Sequence, residues 1–183
     1  MNVYEKCPIL ENDKFMLRFV SPKDVLDLLK VYSDEKSVPL FNSDNCINNF
    51  HYTTIEHMKQ TIEFWEYEYK KKYYVRWSII DKSTNSAIGT IELFNRKAED
   101  YFNNCGLLRL DLRSDYEKEE IIKNILRIII PKTNEMFDCE MIATKAIPIA
   151  KERINALAAS GFSLSDEKLV EHNKQIYGDY WIL

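Results

Sequence analysis

Apolar positions in this chain switch between a spacing of two and a spacing of three or four, and each switch marks an element. Residues 15–20 alternate like a strand and run into Ser21-Pro22-Lys23-Asp24, which places an N-cap, a first-turn proline and a first-turn acid in order. Val25, Leu28, Leu29 and Tyr32 then form one helical stripe. Residues 34–50 are polar and irregular, with Pro39 among them, and read as a loop. Thr53-Thr54-Ile55-Glu56 has the form of a capping box, and Ile55, Met58, Ile62, Trp65 and Tyr69 follow at helical spacing, predicting a helix over 54–71. Its basic tail, Lys70-Lys71-Lys72, suits a helix C-terminus better than a phosphate site.

Two β-rich runs, 73–81 and 87–94, flank the polar segment 82–86 and predict a hairpin. Residues 105–112 give another strand, followed by a helix to about residue 137 that Pro131 is expected to kink or shorten. A short strand at 139–144 precedes an alanine-rich helix over 148–160, with Ile154 and Leu157 inward and Gly161 as a left-handed stop. Residues 168–172 and 177–183 read as a closing hairpin. The order β-α-α-β-β-β-α-β-α-β-β predicts a mixed α/β sheet in a single domain over 1–183, with 1–14 as an N-terminal extension.

Composition narrows the class. An apolar content of 45% supplies a core, and a net charge of −4 argues against a general nucleic-acid binder. No apolar window approaches the ~18 residues of a membrane span, and the charged first residues do not read as a signal peptide, so a cytoplasmic protein is expected. Cys7, Cys46, Cys105 and Cys139 are scattered without metal-ligand spacing, so no metal site and no disulfide framework is expected. His51, His57 and His172 have no fixed partner, and His57 falls on the solvent side of its helix. Trp65, Trp77 and Trp181 read as core or cleft wall. An unpaired acid buried at Asp111 would be costly, so that residue either faces outward or has a role.

The start of the long helix carries Asp115, Glu117, Glu119 and Glu120 and no glycine. Ser114-Asp115-Tyr116-Glu117 reads as a second capping box, and acids there favour the positive end of the helix dipole.

Three stretches together resemble the GNAT acyltransferases, in particular the branch containing the ribosomal-protein-alanine N-acetyltransferases. They are the strand and helix start at 15–24; Trp77-Ser78-Ile79-Ile80-Asp81 with Ile88-Gly89-Thr90-Ile91; and Ala143-Thr144 with the alanine-rich helix ending in Gly161-Phe162. The resemblance implies a largely antiparallel mixed sheet splayed at two parallel strands and flanked by helices. It implies acetyl-CoA as co-substrate, its diphosphate on the helix start after the first of those strands, and direct attack by an amine acceptor, a small molecule or a protein N-terminus. Leu110, Leu112, Glu117, Lys118, Glu119, Glu120, Ile121 and Ile122 are the implied coenzyme contacts, with Glu92 as general base and Tyr180, less directly Tyr177, as general acid. The acceptor pocket falls to the loops 34–50 and 96–104. This chain departs from the family's "Q/R-x-x-G-x-G/A" at Glu117, Glu120 and Ile122, and from its late-helix Asn and Ser at Ala150 and Arg153. Carboxylates would thus fill the diphosphate's seat. A catalytically inactive binding module of the same fold, dimeric or not, is the alternative, and an unrelated α/β ligand-binding domain is the third.

Overall fold

The structure, a computed structural model, describes residues 2–171 and 173–183. Its element order is β1 (Leu10–Glu11), β2 (Phe15–Phe19), α1 (Val25–Tyr32), α2 (Ile55–Lys70), β3 (Val75–Asp81), β4 (Ser86–Arg96), β5 (Cys105–Leu112), α3 (Glu119–Phe137), β6 (Met141–Lys145), α4 (Lys151–Ala159), β7 (Ser163–Leu164), β8 (Leu169–Val170), β9 (Ile176–Tyr177) and β10 (Tyr180–Ile182). Short 3-10 turns at Pro22–Asp24, Val38–Leu40 and Ser114–Tyr116 join them. The main sheet runs β1-β2-β3-β4-β5-β6-β10-β7, antiparallel at every step except β5 with β6.

Alternation in the strands divides the core between the two faces. Trp77, Ile79, Ile91, Leu93, Leu108 and Leu110 pack with Ile122, Ile125, Leu126 and Ile129 of α3 and with Ala156 and Leu157 of α4. The opposite face meets α1 and α2 through Val25, Leu28, Met58, Ile62 and Trp65. The first residues are not a loose appendage: β1 pairs with β2, and Val3 is buried in the core. At α1 the expected start holds, with Ser21 as cap and Asp24 completing the box; Asp24 is also buried against Arg18, at 2.5 Å, and Ser78.

Several local expectations shift. The cap of α2 is Thr54, accepting from the His57 N–H, one residue later than expected. Pro131 does not end α3, which continues to Phe137. The 114–117 capping box is not formed: Ser114–Tyr116 is a 3-10 turn, α3 begins two residues after Glu117, and Glu117 turns inward. The reason is a buried arginine, Arg153, which offers that carboxylate a bidentate partner that an exposed cap could not match. The closing hairpin is also redrawn. His172 lies outside the described residues; β8 pairs with β9 as a separate ribbon, while β10 joins the main sheet between β6 and β7. Gly161 does take the left-handed stop, at φ +93°.

Gly89 on β4 lies close against the backbone of β5. A Cβ built there would stand 2.1 Å from the Asp111 carbonyl oxygen, so backbone rather than a flexible side-chain tip would have to move. Gly89→Ala is therefore expected to destabilise by at least the ~1–3 kcal/mol typical of overpacking, read as a lowered denaturant midpoint; an unchanged midpoint would show that the sheet yields there freely.

Candidate active site

Three neighbouring strands carry charge on the face that α1 and α2 cover. Register aligns Arg76, Glu92 and Arg109 across β3, β4 and β5 as one rung, and Ser78, Thr90 and Asp111 as the next. Arg76, Glu92 and Asp111 are 1–2% exposed. The guanidinium of Arg76 donates to Glu92, to Asp111 Oδ2 at 3.0 Å, to Thr90 Oγ1 at 2.9 Å and to Tyr32 Oη at 3.0 Å. It also stacks 4.3 Å from the Trp65 ring centroid. Arg109 donates to the second oxygen of Glu92 at 2.8 Å. The rungs thus combine two arginines with two carboxylates, and the three buried charges, Arg76, Glu92 and Asp111, are each compensated away from solvent while Arg109 stands at the edge.

Burial works to raise the pKa of Glu92, but Arg76 and Arg109 outweigh it and hold the carboxyl below its ordinary range. Burial, and then the Asp111 charge, push the Tyr32 hydroxyl well above its ordinary value, so it stays protonated.

The ladder forms the floor of a cleft of about 650 Å³ walled by Phe50, Tyr52, Trp65 and Tyr74. A second hollow, of about 900 Å³, adjoins it at Asn45, Phe94 and Arg109 and is rimmed by residues 95–100. Both loops expected to shape an acceptor pocket therefore line these spaces. The 34–50 loop is fastened at its middle. Asp44 takes Lys145 Nζ at 2.7 Å on each carboxylate oxygen and Tyr180 Oη at 3.0 Å, and its carbonyl accepts from Arg109 at 2.9 Å.

Between β5 and β6 the sheet opens. The parallel pairing ends at Leu108 with Thr144, while β5 continues to Leu112 bonded to β4 alone. Residues 109–112 of β5 thus present an outer edge to a gap. Arg153 reaches into that gap from α4, donating to the Leu110 carbonyl at 2.8 Å and to the Leu40 carbonyl at 3.0 Å. Its Nε and Nη2 grip the two oxygens of Glu117 at 2.7 and 2.8 Å. Burial works against the Arg153 charge, and the Glu117 carboxylate more than reverses that, so the guanidinium is held more firmly protonated than usual. Beside this pair, the Glu119 N–H that opens α3 donates to Glu152 Oε2 at 2.8 Å.

The residues singled out from the sequence fall into two groups. Leu110, Glu117 and Glu119 meet at the gap. Leu112 and Ile122 are buried in the core beside it, while Lys118 and Glu120 are exposed and Ile121 is half-buried. Glu92 lies in the ladder, and Tyr180 is buried on the loop side, donating to Asp44 and accepting from Asn42. Burial first, and then the Asp44 charge, raise the Tyr180 pKa. Tyr177 accepts from the Asn45 N–H. Asp111 is inward and paired. Arg76, Arg109, Asp44 and Arg153 as an ensemble were not found from sequence. A signal was there for the first two, as Arg76-x-Ser78, Thr90-x-Glu92 and Arg109-x-Asp111 put polar residues on one face of otherwise apolar strands.

Glu92 sets a pH dependence. A carboxylate with a depressed folded-state pKa contributes stability that is present above its unfolded value, about 4.3, and is lost as pH falls through the folded value. Unfolding free energy should therefore fall more steeply below about pH 4 in the native protein than in Glu92→Gln, measured by urea denaturation across pH 3–7. Parallel curves would refute the assignment.

No protein-family model matches the sequence, and no curated protein matches it. Solved structures do match in shape. A ribosomal-protein-S5-alanine acetyltransferase from Vibrio fischeri superposes with a TM-score of 0.70 at 17% identity, covering 96% of this chain and 94% of that one. A ribosomal L7/L12 α-N-protein acetyltransferase in complex with coenzyme A gives 0.69 at 12% identity, covering 96% and 97%. An acetyltransferase from Salmonella typhimurium that modifies the N-terminal serine of ribosomal protein L7/L12 gives 0.68 at 13% identity, covering 96% and 98%. These neighbours are GNAT-family acetyltransferases, and the chain has the GNAT fold.

Proposed function

We propose that the protein is an N-acyltransferase that moves an acetyl group from acetyl-CoA to an amine by direct attack. The observation that carries this reading is the parting of β5 from β6 after Leu108, which leaves a strand edge facing a gap with a helix start beneath it. The solved neighbours, one of them holding coenzyme A, support it, and the non-catalytic module finds no support among them.

The residues present fit such a donor once Arg153 gives way. In an antiparallel pair, the N–H and C=O of one residue point the same way. The Leu110 N–H therefore faces the gap with the carbonyl that Arg153 now holds, and it serves as the donor for an oxygen gaining charge. The first amides of α3 favour an anion, and Lys118 and Arg153 supply nearby positive charge against Glu119 and Glu120. Acetyl-CoA, when bound, supplies the activated thioester. Both oxygens of Glu92 are committed to arginines, so it acts by holding the ladder's charge in place, and the amine's proton leaves through water. Tyr180 is kept protonated, but its one hydrogen is given to Asp44, so it can pass a proton to the leaving sulfur only once that bond is released. The acceptor amine, on a small molecule or a protein N-terminus, enters through the hollows over the ladder. Such chemistry belongs to the cytoplasm, where the four cysteines would remain the free thiols seen here.

A ligand present at a hundred times its dissociation constant adds about 2.7 kcal/mol, or about 5–10 °C in melting temperature for a chain of this size. Millimolar acetyl-CoA is expected to give a rise of that order, and a panel of amines that includes N-terminal peptides should release free thiol. An unmoved melting curve, together with silent calorimetry, would overturn the reading.

A further inference from the structure

The gap between β5 and β6 is filled by the chain's own side chains. Arg153 is 2% exposed and makes four hydrogen bonds there, to Glu117 twice, to the Leu110 carbonyl and to the Leu40 carbonyl. Glu152, its neighbour on α4, holds the first N–H of α3. The strand edge, the helix start and the 34–50 loop are therefore tied together by consecutive residues of one helix. The Arg153–Glu117 pair is no accident of exposed side chains: it is buried, bidentate and shared with two main-chain carbonyls on different elements.

We infer that Arg153 and Glu117 form an internal occupant of the donor gap, and that donor binding proceeds by exchange, with Arg153 leaving Glu117 and the Leu110 carbonyl for the donor's diphosphate. The inference rests on the acyl-CoA reading above and adds a specificity-determining residue to it. Two physical arguments support the exchange. A guanidinium keeps its charge under any condition the protein meets, so once released from Glu117 it requires another anion, and a diphosphate offers the same fork-shaped match as a carboxylate. The Leu110 carbonyl is a strand-edge acceptor, and an amide N–H on an entering ligand satisfies it as Arg153 does. Donor affinity is then set by the difference between the paired state and one in which the buried Glu117 has lost Arg153, and weakening the internal pair shifts that difference toward the donor.

The test uses full-length wild type, Glu117→Gln and Arg153→Ser, with coenzyme A as the calorimetric probe. Glu117→Gln keeps Arg153 but weakens its hold, and is expected to bind about tenfold more tightly, within the range of coupling between linked equilibria. The donor KM should fall with it while the acceptor KM stays constant, a split that a merely structural effect would not produce. Arg153→Ser opens the gap but removes the cation, so its affinity should lie below that of Glu117→Gln. Wild type that binds coenzyme A while Glu117→Gln binds equally or more weakly would overturn the exchange and leave the acyltransferase reading standing. If no form binds, both readings fall. If the variants do not fold, the wild type decides alone: 15N-arginine spectra should show a slowly exchanging Arg153 Nε–H that loses protection on adding coenzyme A, and retained protection overturns the inference.

Discussion

A strand edge inside a protein must have its hydrogen bonds met, and this fold parts two strands and so creates such an edge at its centre. Below Leu108 and Thr144 the parallel pair is complete; above them β5 has a partner on one side only. Much of the local architecture answers that constraint. Arg153 meets the Leu110 carbonyl, Glu117 neutralises Arg153, and Glu117 can do so only because α3 begins two residues later instead of being capped by it. The same guanidinium also draws in the 3-10 turn Val38–Leu40, through the Leu40 carbonyl. One unmet acceptor therefore accounts for the helix start, the burial of a glutamate and the seating of a loop.

The face under α1 and α2 solves a different problem. Three charged side chains, Arg76, Glu92 and Asp111, are buried there beside the partly exposed Arg109, and none of the three would be tolerated alone. Alignment across β3, β4 and β5 allows each carboxylate to meet a guanidinium without any bend in the sheet. Replacing such a set by apolar residues of similar volume can leave stability unchanged, so its retention is better explained by the cleft above it than by the fold. The ladder gives that cleft a polar floor fixed in position, with aromatic walls rising from α2 and the loop.

The framework was legible from periodicity. β5 was found with its observed bounds, as were the hairpin and the order of the four helices, because each has an apolar stripe or alternation that one partner surface can bury. The start of α3 was misread for a physical reason. Ser114 to Glu117 has good local capping chemistry, but Arg153 is 36 residues away in sequence, and no local pattern reports a buried ion pair. The tail was misread similarly: residues near 177–183 have strand character, but β10 finds its partner in β6 rather than in its neighbour. At the site, the resemblance points to Glu92 and Tyr180, whereas the polar residues alternating along β3, β4 and β5 are visible in the sequence but join into a ladder only through the register.

Asp44 has a further consequence. Its carboxylate and carbonyl are held by β5, β6 and β10 together, so the middle of the 34–50 loop behaves as part of the sheet. The rim over the cleft is then stiff, and selection among incoming molecules falls to contour and size at a fixed doorway instead of to a flap that moulds itself around whatever arrives.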